Sequence, residues 1–128
     1  MKYSIEVKKI GKKGRGVFAL KDFKRGEVIE KAPIIKLTPK ERKHCEKTIL
    51  LYYLYPWNSL SDAAIALGYG SIYNHSENPN AHWVTLHKSR IMKYRAIKDI
   101  EAGEEITVDY NGDYEPDDMD WLTPENQR

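Results

Sequence analysis

The sequence has one cysteine in 128 residues, and this scarcity excludes two kinds of site. A single thiol cannot form a disulfide within the chain, and a zinc site built from clustered cysteines needs several. Cys45 lies in a segment rich in Lys and Glu, so we interpret it as a bystander. It could act as a nucleophile only beside a histidine that is close in space, and its neighbour His44 is no evidence for that.

Long hydrophobic runs are also missing. No apolar stretch approaches the roughly 20 residues that span a bilayer, and Met1–Glu6 has no signal-peptide character. We therefore expect an intracellular protein without a membrane partner. Apolar residues make up 41% and charged residues 31%, as in ordinary globular proteins, and the length allows one domain with one modest core.

Acidic residues are scarce in the first 50 residues, which hold 15 Lys and Arg but only 6 Asp and Glu. Residues 51–128 have the opposite balance, with 6 Lys and Arg and 13 Asp and Glu. Two solvated faces of opposite sign would explain this. Alternatively, the acidic part attracts a cationic substrate, because such a field raises encounter rates. The segment after Tyr110 favours that second reading, with Asp113, Glu115, Asp117, Asp118 and Asp120. The basic half leaves a nucleic-acid-binding β domain open, but its cations are scattered among acids rather than arranged with aromatics.

Alternating apolar residues predict a domain of many short strands. Pro33 should push its strand towards a sheet edge or a bulge, because proline cannot donate to a ladder. In the strand that contains Met92 and Tyr94, those side chains should face one way, and Lys93 and Arg95 the other. The predicted strands are Tyr3–Val7, Val17–Ala19, Val28–Glu30, Ile34–Leu37, Ala81–Thr85, Arg90–Ala96 and Glu105–Tyr110.

A helix is predicted over Pro39–Lys47, because Thr38 can cap it, Pro39 suits its first position and Glu41 can close a capping box. The segment Ile49–Trp57 is rich in β-branched and aromatic residues. We predict a strand that ends at Pro56, with a helix continuing to Tyr53 as the competing interpretation.

Four motifs occur in a telling order. The heptad Asn74-His75-Ser76-Glu77-Asn78-Pro79-Asn80 is followed by Gly103-Glu104-Glu105-Ile106-Thr107-Val108-Asp109-Tyr110, and it is preceded by Gly14-Arg15-Gly16-Val17-Phe18-Ala19 and Tyr53-Leu54-Tyr55. Together they resemble the SET domain of protein lysine methyltransferases, most of all the minimal SET proteins of viruses and prokaryotes. The resemblance implies a mostly-β, β-clip-like SET fold of several small sheets, one or two short helices and a carboxy-terminal pseudoknot. It places the SET domain at residues 1–114 and an acidic tail at 115–128 that packs on it.

Glu77 occupies a position where many larger family members have a zinc-binding cysteine. The cysteine-rich carboxy-terminal segment that completes such a zinc site is absent as well. Because the two losses agree, we expect a zinc-free subclass with no metal site.

The resemblance implies S-adenosylmethionine as the cofactor and assigns residues to it. The loop Lys13-Gly14-Arg15-Gly16 would approach the cofactor closely, since glycines carry no Cβ. Asn74 would bind the ammonium or carboxylate of its amino-acid end. His75 would read the adenine through its backbone while its imidazole is buried and hydrogen-bonded. Trp121 would cover the adenine, although a plug that closes the core is an equal alternative.

Tyr110 is the predicted catalytic residue. Its phenol, with a pKa near 10, is a poor base at neutral pH, so we expect it to align the reacting groups and to stabilise charge in the transition state. The family also implies an aromatic lysine channel, since ring faces attract cations. Its candidates are the rings of Tyr53, Tyr110 and Tyr114, with the backbone carbonyls of Gly70–Tyr73 as further methyl-facing acceptors and the rings of Tyr69 and Tyr73 as additional choices.

The leading hypothesis is therefore an S-adenosylmethionine-dependent protein-lysine N-methyltransferase that acts on a basic, flexible protein segment. The family suggests a histone or histone-like tail, and a ribosomal protein would fit equally well. A catalytically inactive SET-like binding module is the alternative, although such modules usually lose the Asn-His pair or the terminal Tyr. Direct nucleic-acid binding is not expected, and a homodimer is a further hypothesis. The location would be cytoplasmic or chromatin-associated, and nuclear in a eukaryote. The sequence does not specify the substrate lysine or the number of methyl groups added.

Overall fold

A computed structural model describes residues 3–58 and 61–110. The predictions for Tyr114, Trp121 and the tail 115–128 lie outside these residues. No helix in the described ranges is long and apolar enough to cross a membrane.

The described residues form a mostly-β fold, as predicted, with two sheets and one short α-helix. The helix α1 is Pro39–Cys45, and two 3₁₀ helices span Gly11–Lys13 and Ile49–Tyr53. The strands are β1 (Ile5–Lys9), β2 (Arg15–Ala19), β3 (Val28–Leu37), β4 (Leu54–Tyr55), β5 (Ala63–Ala66), β6 (Asn74–His75), β7 (Ala81–Leu86), β8 (Ile91–Ala96) and β9 (Glu105–Val108).

The four-stranded sheet has the order β1-β2-β9-β6. Strands β1 and β2 form a hairpin in which Val7 lies opposite Val17, and its tip is the loop that contains Gly14. Strand β9 pairs antiparallel with β2 and parallel with β6, where Asn74 lies opposite Thr107. This arrangement brings three of the sequence motifs, about 30 to 60 residues apart, side by side.

The five-stranded sheet has the order β4-β5-β3-β8-β7, and β3 is its middle strand. The prediction that Pro33 marks a sheet edge is therefore wrong, and the two predicted strands around it are one continuous strand. The reason is that β3 changes partner at Pro33: residues 28–33 pair with β8, and residues 34–37 pair with β5 on the other side. The expected irregularity instead lies between Val28 and Glu30.

Helix α1 begins as its sequence predicts. The Thr38 hydroxyl accepts from the Glu41 N–H at 3.2 Å, and the Glu41 carboxylate accepts from the Thr38 N–H at 2.9 Å, which completes the capping box. The helix ends at Cys45, two residues before the predicted end, and buries none of its side chains.

The prediction of a strand over Ile49–Trp57 is wrong for its first half. Residues Ile49–Tyr53 form a 3₁₀ helix that is capped by Thr48, so the competing helical interpretation was closer. Only Leu54–Tyr55 is strand, and it ends before Pro56 as predicted. β-branched and aromatic residues favour strands through packing on a pleated surface, and most of this segment has no such surface, since Ile49 and Tyr52 are exposed.

The core fills the space between the two sheets. Strand β9 contributes Ile106 and Val108, both fully buried as predicted. Along β8 the predicted alternation holds, but both faces of the strand are buried, because Lys93 is only 2% and Arg95 only 1% exposed. The Arg95 Nη1 donates to the Gly26 carbonyl at 3.0 Å, and burial lowers the pKa of Lys93 to about 8.

Residues 74–80 lie against β9, the juxtaposition that the resemblance implied. Asn80 makes much of this contact: its Nδ2 donates to the Glu105 carbonyl at 2.8 Å, and its Oδ1 accepts from the Thr107 N–H at 2.9 Å. Its amide thus takes the place of a strand partner for β9. The Ser76 N–H donates to the Val108 carbonyl at 3.0 Å, which continues the contact towards Tyr110.

Candidate active site

Two cavities meet at the carboxy-terminal end of β9. One has a volume of about 460 Å³ and is lined mainly by aromatic and aliphatic residues of the segment 51–55. The other has a volume of about 240 Å³ and is lined by Gly14, Arg15 and Asn74 among others. Tyr53, Ser71 and Tyr110 line both cavities. A group bound in one cavity would therefore face a group bound in the other across these three residues.

The polar cavity includes the tip of the β1–β2 hairpin. Lys13 ends the 3₁₀ helix of this tip, and Gly14 follows with φ 91°, a conformation that L side chains rarely adopt. A Cβ on Gly14 would meet no atom within 4 Å, so the backbone here faces open space. The loop can therefore present its backbone directly to a ligand.

Asn74 is held by two acceptors. Its Nδ2 donates to the Arg15 carbonyl at 2.9 Å and to the Glu105 carboxylate at 2.8 Å. Because both neighbours accept, the amide nitrogen must face them, and Oδ1 remains for a donor. Such an acceptor suits a ligand ammonium.

Gly16 makes this arrangement fit. A Cβ at this position would lie 2.5 Å from Glu105 Oε2, 2.6 Å from Ile10 Cδ1 and 2.9 Å from Asn74 Nδ2. Any larger residue would push Asn74 and Glu105 apart. Of the predicted loop residues, Gly16 therefore supports the site by packing, while Gly14 and Arg15 line the cavity.

His75 differs from its prediction in one respect. Its Nδ1 accepts from the Tyr110 N–H at 3.1 Å and lies 3.6 Å from Asp109 Oδ1, so the expected hydrogen bonding is present. The side chain is 35% exposed, however, so the expectation of a buried imidazole is wrong. Strand β6 has two residues and lies at the edge of its sheet, beside β9, which leaves this side chain near the surface.

Tyr110 lies where the two cavities meet. Its hydroxyl donates to the Tyr73 carbonyl, and its ring lies 5.3 Å from the His75 ring and 6.3 Å, edge-on, from the Tyr55 ring. Burial, with smaller contributions from Tyr53 and Glu105, raises the pKa of Tyr110 above its usual value of 10. The phenol is therefore neutral at physiological pH. Because the Tyr110 hydroxyl donates its hydrogen bond to the Tyr73 carbonyl, the lone pairs on the Tyr110 oxygen can accept hydrogen bonds from other groups.

The aromatic cavity contains Tyr53 as predicted, and also Tyr55, which was not predicted. The Tyr55 ring is 5% exposed and packs edge-on against Trp83 at 5.3 Å. Its presence in the Tyr53-Leu54-Tyr55 motif was a usable signal, because residues two apart in the predicted strand point to the same face, so that Tyr55 is expected on the same side as Tyr53. Ser71 was predicted only through the backbone carbonyls of Gly70–Tyr73, and nothing in the sequence around its side chain indicated that it lines both cavities.

Gly70 and Tyr73 do not line either cavity in the part of the chain that the structure describes. The Gly70 carbonyl accepts from the Tyr55 hydroxyl at 2.9 Å and from the Tyr94 hydroxyl at 3.0 Å, so it holds Tyr55, which lines the aromatic cavity, from behind. The Tyr73 ring is fully buried and stacks on Tyr94 at 4.4 Å. Tyr73 contacts the site through its backbone carbonyl.

Groups of three or more His, Cys, Asp or Glu side chains that could hold a metal ion do not occur among residues 3–58 and 61–110.

The polar groups that line the polar cavity fit the amino-acid end of S-adenosylmethionine. The amide oxygen of Asn74, a residue that lines this cavity, matches an ammonium, and the open backbone at Gly14 allows a close approach. Tyr110 adds a neutral oxygen acceptor at the boundary, which suits a sulfonium and its polarised methyl group.

Comparisons with known proteins identify the family of this chain. A family model described as the SET domain matches residues 14–111. The chain is 32% identical over 111 residues to "Histone-lysine N-methyltransferase, H3 lysine-37 specific" of Schizosaccharomyces pombe, covering 86% of this chain and 74% of that protein. It is 32% identical over 135 residues to "N-lysine methyltransferase KMT5A-A" of Xenopus laevis, covering 92% of this chain but 40% of that protein. Among solved structures, a Plasmodium falciparum protein described as a candidate histone methyltransferase superimposes with a TM-score of 0.67 at 29% identity, covering 89% of this chain and 98% of that one.

Proposed function

Because this chain belongs to the SET-domain family and is an S-adenosylmethionine-dependent protein-lysine N-methyltransferase, we propose that it methylates a lysine in a basic, flexible segment of a protein. The observation that carries the proposal is the meeting of a polar and an aromatic cavity at Tyr53, Ser71 and Tyr110. The cofactor supplies the methyl group from one side, and the aromatic cavity has the lining that a lysine chain needs on the other.

On the cofactor side, we assign binding to the hairpin tip and to β6. Asn74 Oδ1 accepts from the cofactor ammonium, and its own amide is fixed by Arg15 and Glu105. The backbone of Lys13 and Gly14 borders the amino-acid end, and Gly16 keeps Asn74 in place. The His75 backbone is assigned to the adenine, and Trp121, outside the described residues, to covering it.

On the substrate side, Tyr53 and Tyr55 offer ring faces to the lysine ammonium and its methylated forms. Tyr114, also outside the described residues, is the remaining candidate for this channel. The lysine must lose its proton before attack, and an apolar channel lowers the pKa of its amine. Tyr110 keeps its own proton, so it aligns the amine by accepting from it and does not act as its base.

For the substrate itself, the supporting argument is charge. The second part of the chain carries 13 acidic against 6 basic residues, and a Lys-rich segment would be attracted to it. One of the relatives reported above is named for activity on lysine 37 of histone H3, and another is named for activity on a lysine that its name does not specify. We propose a histone or histone-like tail, with a ribosomal protein tail as the second candidate, and hence a chromatin-associated location for the first.

The proposal extends to the type of SET protein. We propose a zinc-free member, which Glu77 and the single Cys45 support. The expected likeness to viral and prokaryotic members has no support among the relatives reported above, which are eukaryotic. Residues 1–114 are proposed as the SET domain and 115–128 as a tail that packs on it. A homodimer is likewise a proposal, and its test is the mass in solution.

The test of the proposed substrate is methyl transfer from labelled S-adenosylmethionine to core histones and to an array of basic peptides, followed by mass spectrometry. Matched peptides keep the target lysine but replace the flanking Lys and Arg with Gln. We expect the matched peptides to be methylated about tenfold less efficiently at low salt, with the difference shrinking at high salt. Equal rates for both peptide sets at low salt would refute the proposed preference for a basic segment.

A further inference from the structure

Glu30 is a partly buried carboxylate beneath the active site that none of the roles above uses. It lies on β3, opposite Tyr94 on β8. In the part of the chain that the structure describes, no Lys or Arg forms an ion pair with it. Its two oxygens accept instead from the Tyr69 N–H at 3.0 Å and from the Tyr73 hydroxyl at 2.8 Å. Burial raises the pKa of Glu30, while these two hydrogen bonds act in the opposite direction.

Both donors belong to the segment 68–73, which connects β5 to β6. This segment begins at Gly68, with φ 63°. A Cβ on Gly68 would collide with Glu30 Oε2, so the glycine admits the carboxylate at close range. The segment then turns twice, with the Gly70 N–H donating to Leu67 and the Ile72 N–H donating to Tyr69. Glu30 therefore lies under a tight connection that it helps to fix at both ends.

Tyr73 links Glu30 to the site. Its hydroxyl donates to Glu30, its ring stacks on Tyr94 at an interplanar angle of 28°, and its carbonyl accepts the hydroxyl of Tyr110. The direction of the Tyr110 hydroxyl depends on that carbonyl, and the position of the carbonyl depends on where the Tyr73 ring is held. Glu30 thus contacts no reacting atom but is two hydrogen bonds away from the proposed catalytic hydroxyl.

We propose that Glu30 is a positioning residue for methyl transfer, because its carboxylate fixes the segment 68–73 and, through Tyr73, the direction of the Tyr110 hydroxyl. This inference rests on the proposed role of Tyr110. A displacement of about 1 Å at a reacting group can lower a rate by roughly 100-fold, so a modest shift of Tyr73 has a measurable effect.

Three variants separate positioning from folding. Glu30→Ala removes both acceptors. Glu30→Gln keeps an acceptor for the Tyr69 N–H and can donate its amide to the Tyr73 oxygen, so it should rescue the contact. Tyr73→Phe removes only the hydroxyl that joins the ring to Glu30. The rate is measured on core histones or the best basic peptide and divided by the number of cofactor-binding sites found by titration calorimetry with S-adenosylhomocysteine, so that unfolded protein does not count.

We expect kcat per site to fall about tenfold in Glu30→Ala and several-fold in Tyr73→Phe, and to stay within about threefold in Glu30→Gln, since only orientation is lost. The affinity for S-adenosylhomocysteine and the KM for the peptide should change by less than about threefold, because neither Glu30 nor Tyr73 lines either of the two cavities described above. Rates per site within twofold of wild type in both Glu30→Ala and Tyr73→Phe would overturn the inference. If Tyr110→Phe were inactive in the same experiment, the proposed role of Tyr110 would still stand. An active Tyr110→Phe would instead overturn both.

A second measurement needs no substrate. Hydrogen exchange in Glu30→Ala should accelerate in the segment 68–73 and remain unchanged in the β1–β2 hairpin, whereas a general loss of stability would accelerate both. If Glu30→Ala does not fold, the pair Gly68→Ala and Gly103→Ala replaces it. Both glycines have positive φ, but a Cβ at Gly103 meets nothing within 4 Å, whereas one at Gly68 displaces Glu30. Only Gly68→Ala should lower kcat per site, and equal rates for the two would refute the inference.

Discussion

Replacement of Tyr110 by phenylalanine removes one hydroxyl and leaves the ring in place. The ring keeps its edge-on contact with Tyr55 at 6.3 Å and its contact with His75 at 5.3 Å. The Tyr110 N–H still donates to His75. The only lost interaction among the described residues is the hydrogen bond from the hydroxyl to the Tyr73 carbonyl. The variant therefore isolates the hydroxyl.

The expected effect on folding is small and the effect on catalysis is large. Tyr110 is 39% exposed, so loss of its hydrogen bond should cost about 1 kcal/mol of unfolding free energy. Loss of a single polar group aimed at developing charge costs roughly 3–4 kcal/mol of transition-state stabilisation, or about 100- to 1000-fold in kcat. Affinity for the cofactor should change little, because the polar cavity keeps Asn74 and the open backbone of Gly14.

The assay is single-turnover methyl transfer with saturating S-adenosylmethionine, with calorimetric titration of S-adenosylhomocysteine as the control for the site. Because the pKa of Tyr110 is raised above 10, its hydroxyl keeps its proton at neutral and mildly alkaline pH. Wild type and variant should therefore show the same rise of rate with pH from neutral to mildly alkaline pH, as the substrate amine loses its proton. A variant with kcat within threefold of wild type would refute the role of the hydroxyl, and a steeper rise in wild type alone would indicate that Tyr110 acts as a base.

Three further predictions concern cofactor affinity, the contact between Asn80 and β9, and the pH dependence of stability. Gly16→Ala should weaken binding of S-adenosylhomocysteine by about tenfold, since its Cβ would lie 2.9 Å from Asn74 Nδ2; unchanged calorimetric affinity would contradict this. Asn80→Ala removes both hydrogen bonds to β9 and should lower the unfolding free energy by about 2–3 kcal/mol in urea titrations, whereas a loss below 0.5 kcal/mol would mean that water replaces them. Burial, and secondarily Arg95, lowers the pKa of His82 from 6.5 to about 4, so the folded state requires the neutral ring. The stability that depends on this neutral ring is complete above pH 6.5 and is lost as the pH falls towards 4, by at most about 3 kcal/mol of unfolding free energy. The thermal unfolding temperature of His82→Gln should therefore vary less between pH 6.5 and pH 4 than that of wild type, and the same variation in both proteins would contradict the assignment.

Much of the fold follows from local patterns. Strands β1, β2, β7, β8 and β9 were predicted from their apolar residues and from the turn residues that separate them, and the structure contains all five. Helix α1 begins where Thr38, Pro39 and Glu41 predict, since a capping box is closed by neighbours in sequence. Features that depend on four or five consecutive residues were therefore within reach of the sequence.

The failures have a common cause in tertiary context. Pro33 was assigned to an edge or a bulge because proline lacks the backbone donor, but β3 exchanges one partner strand for another at that residue. Ile49–Tyr53 has strand composition, yet it lacks a neighbouring strand and forms a 3₁₀ helix. Among the predicted site residues that the structure describes, Tyr73 turns its ring into the core, whereas five others line the cavities: Gly14, Arg15, Tyr53, Asn74 and Tyr110.

The sequence by itself determined the family and hence the reaction, because Asn74–Asn80 and Gly103–Tyr110 are short motifs that can be identified, in their order along the chain, without knowledge of the fold. The tertiary structure decided which residues meet. Glu30, Tyr73 and Tyr110 are separated by about 40 residues each and are joined by hydrogen bonds that no local pattern contains. The physical reason is that strand pairing fixes these distances only after β3, β8 and β9 have taken their places, so the supports of a catalytic side chain are a property of the assembled sheets.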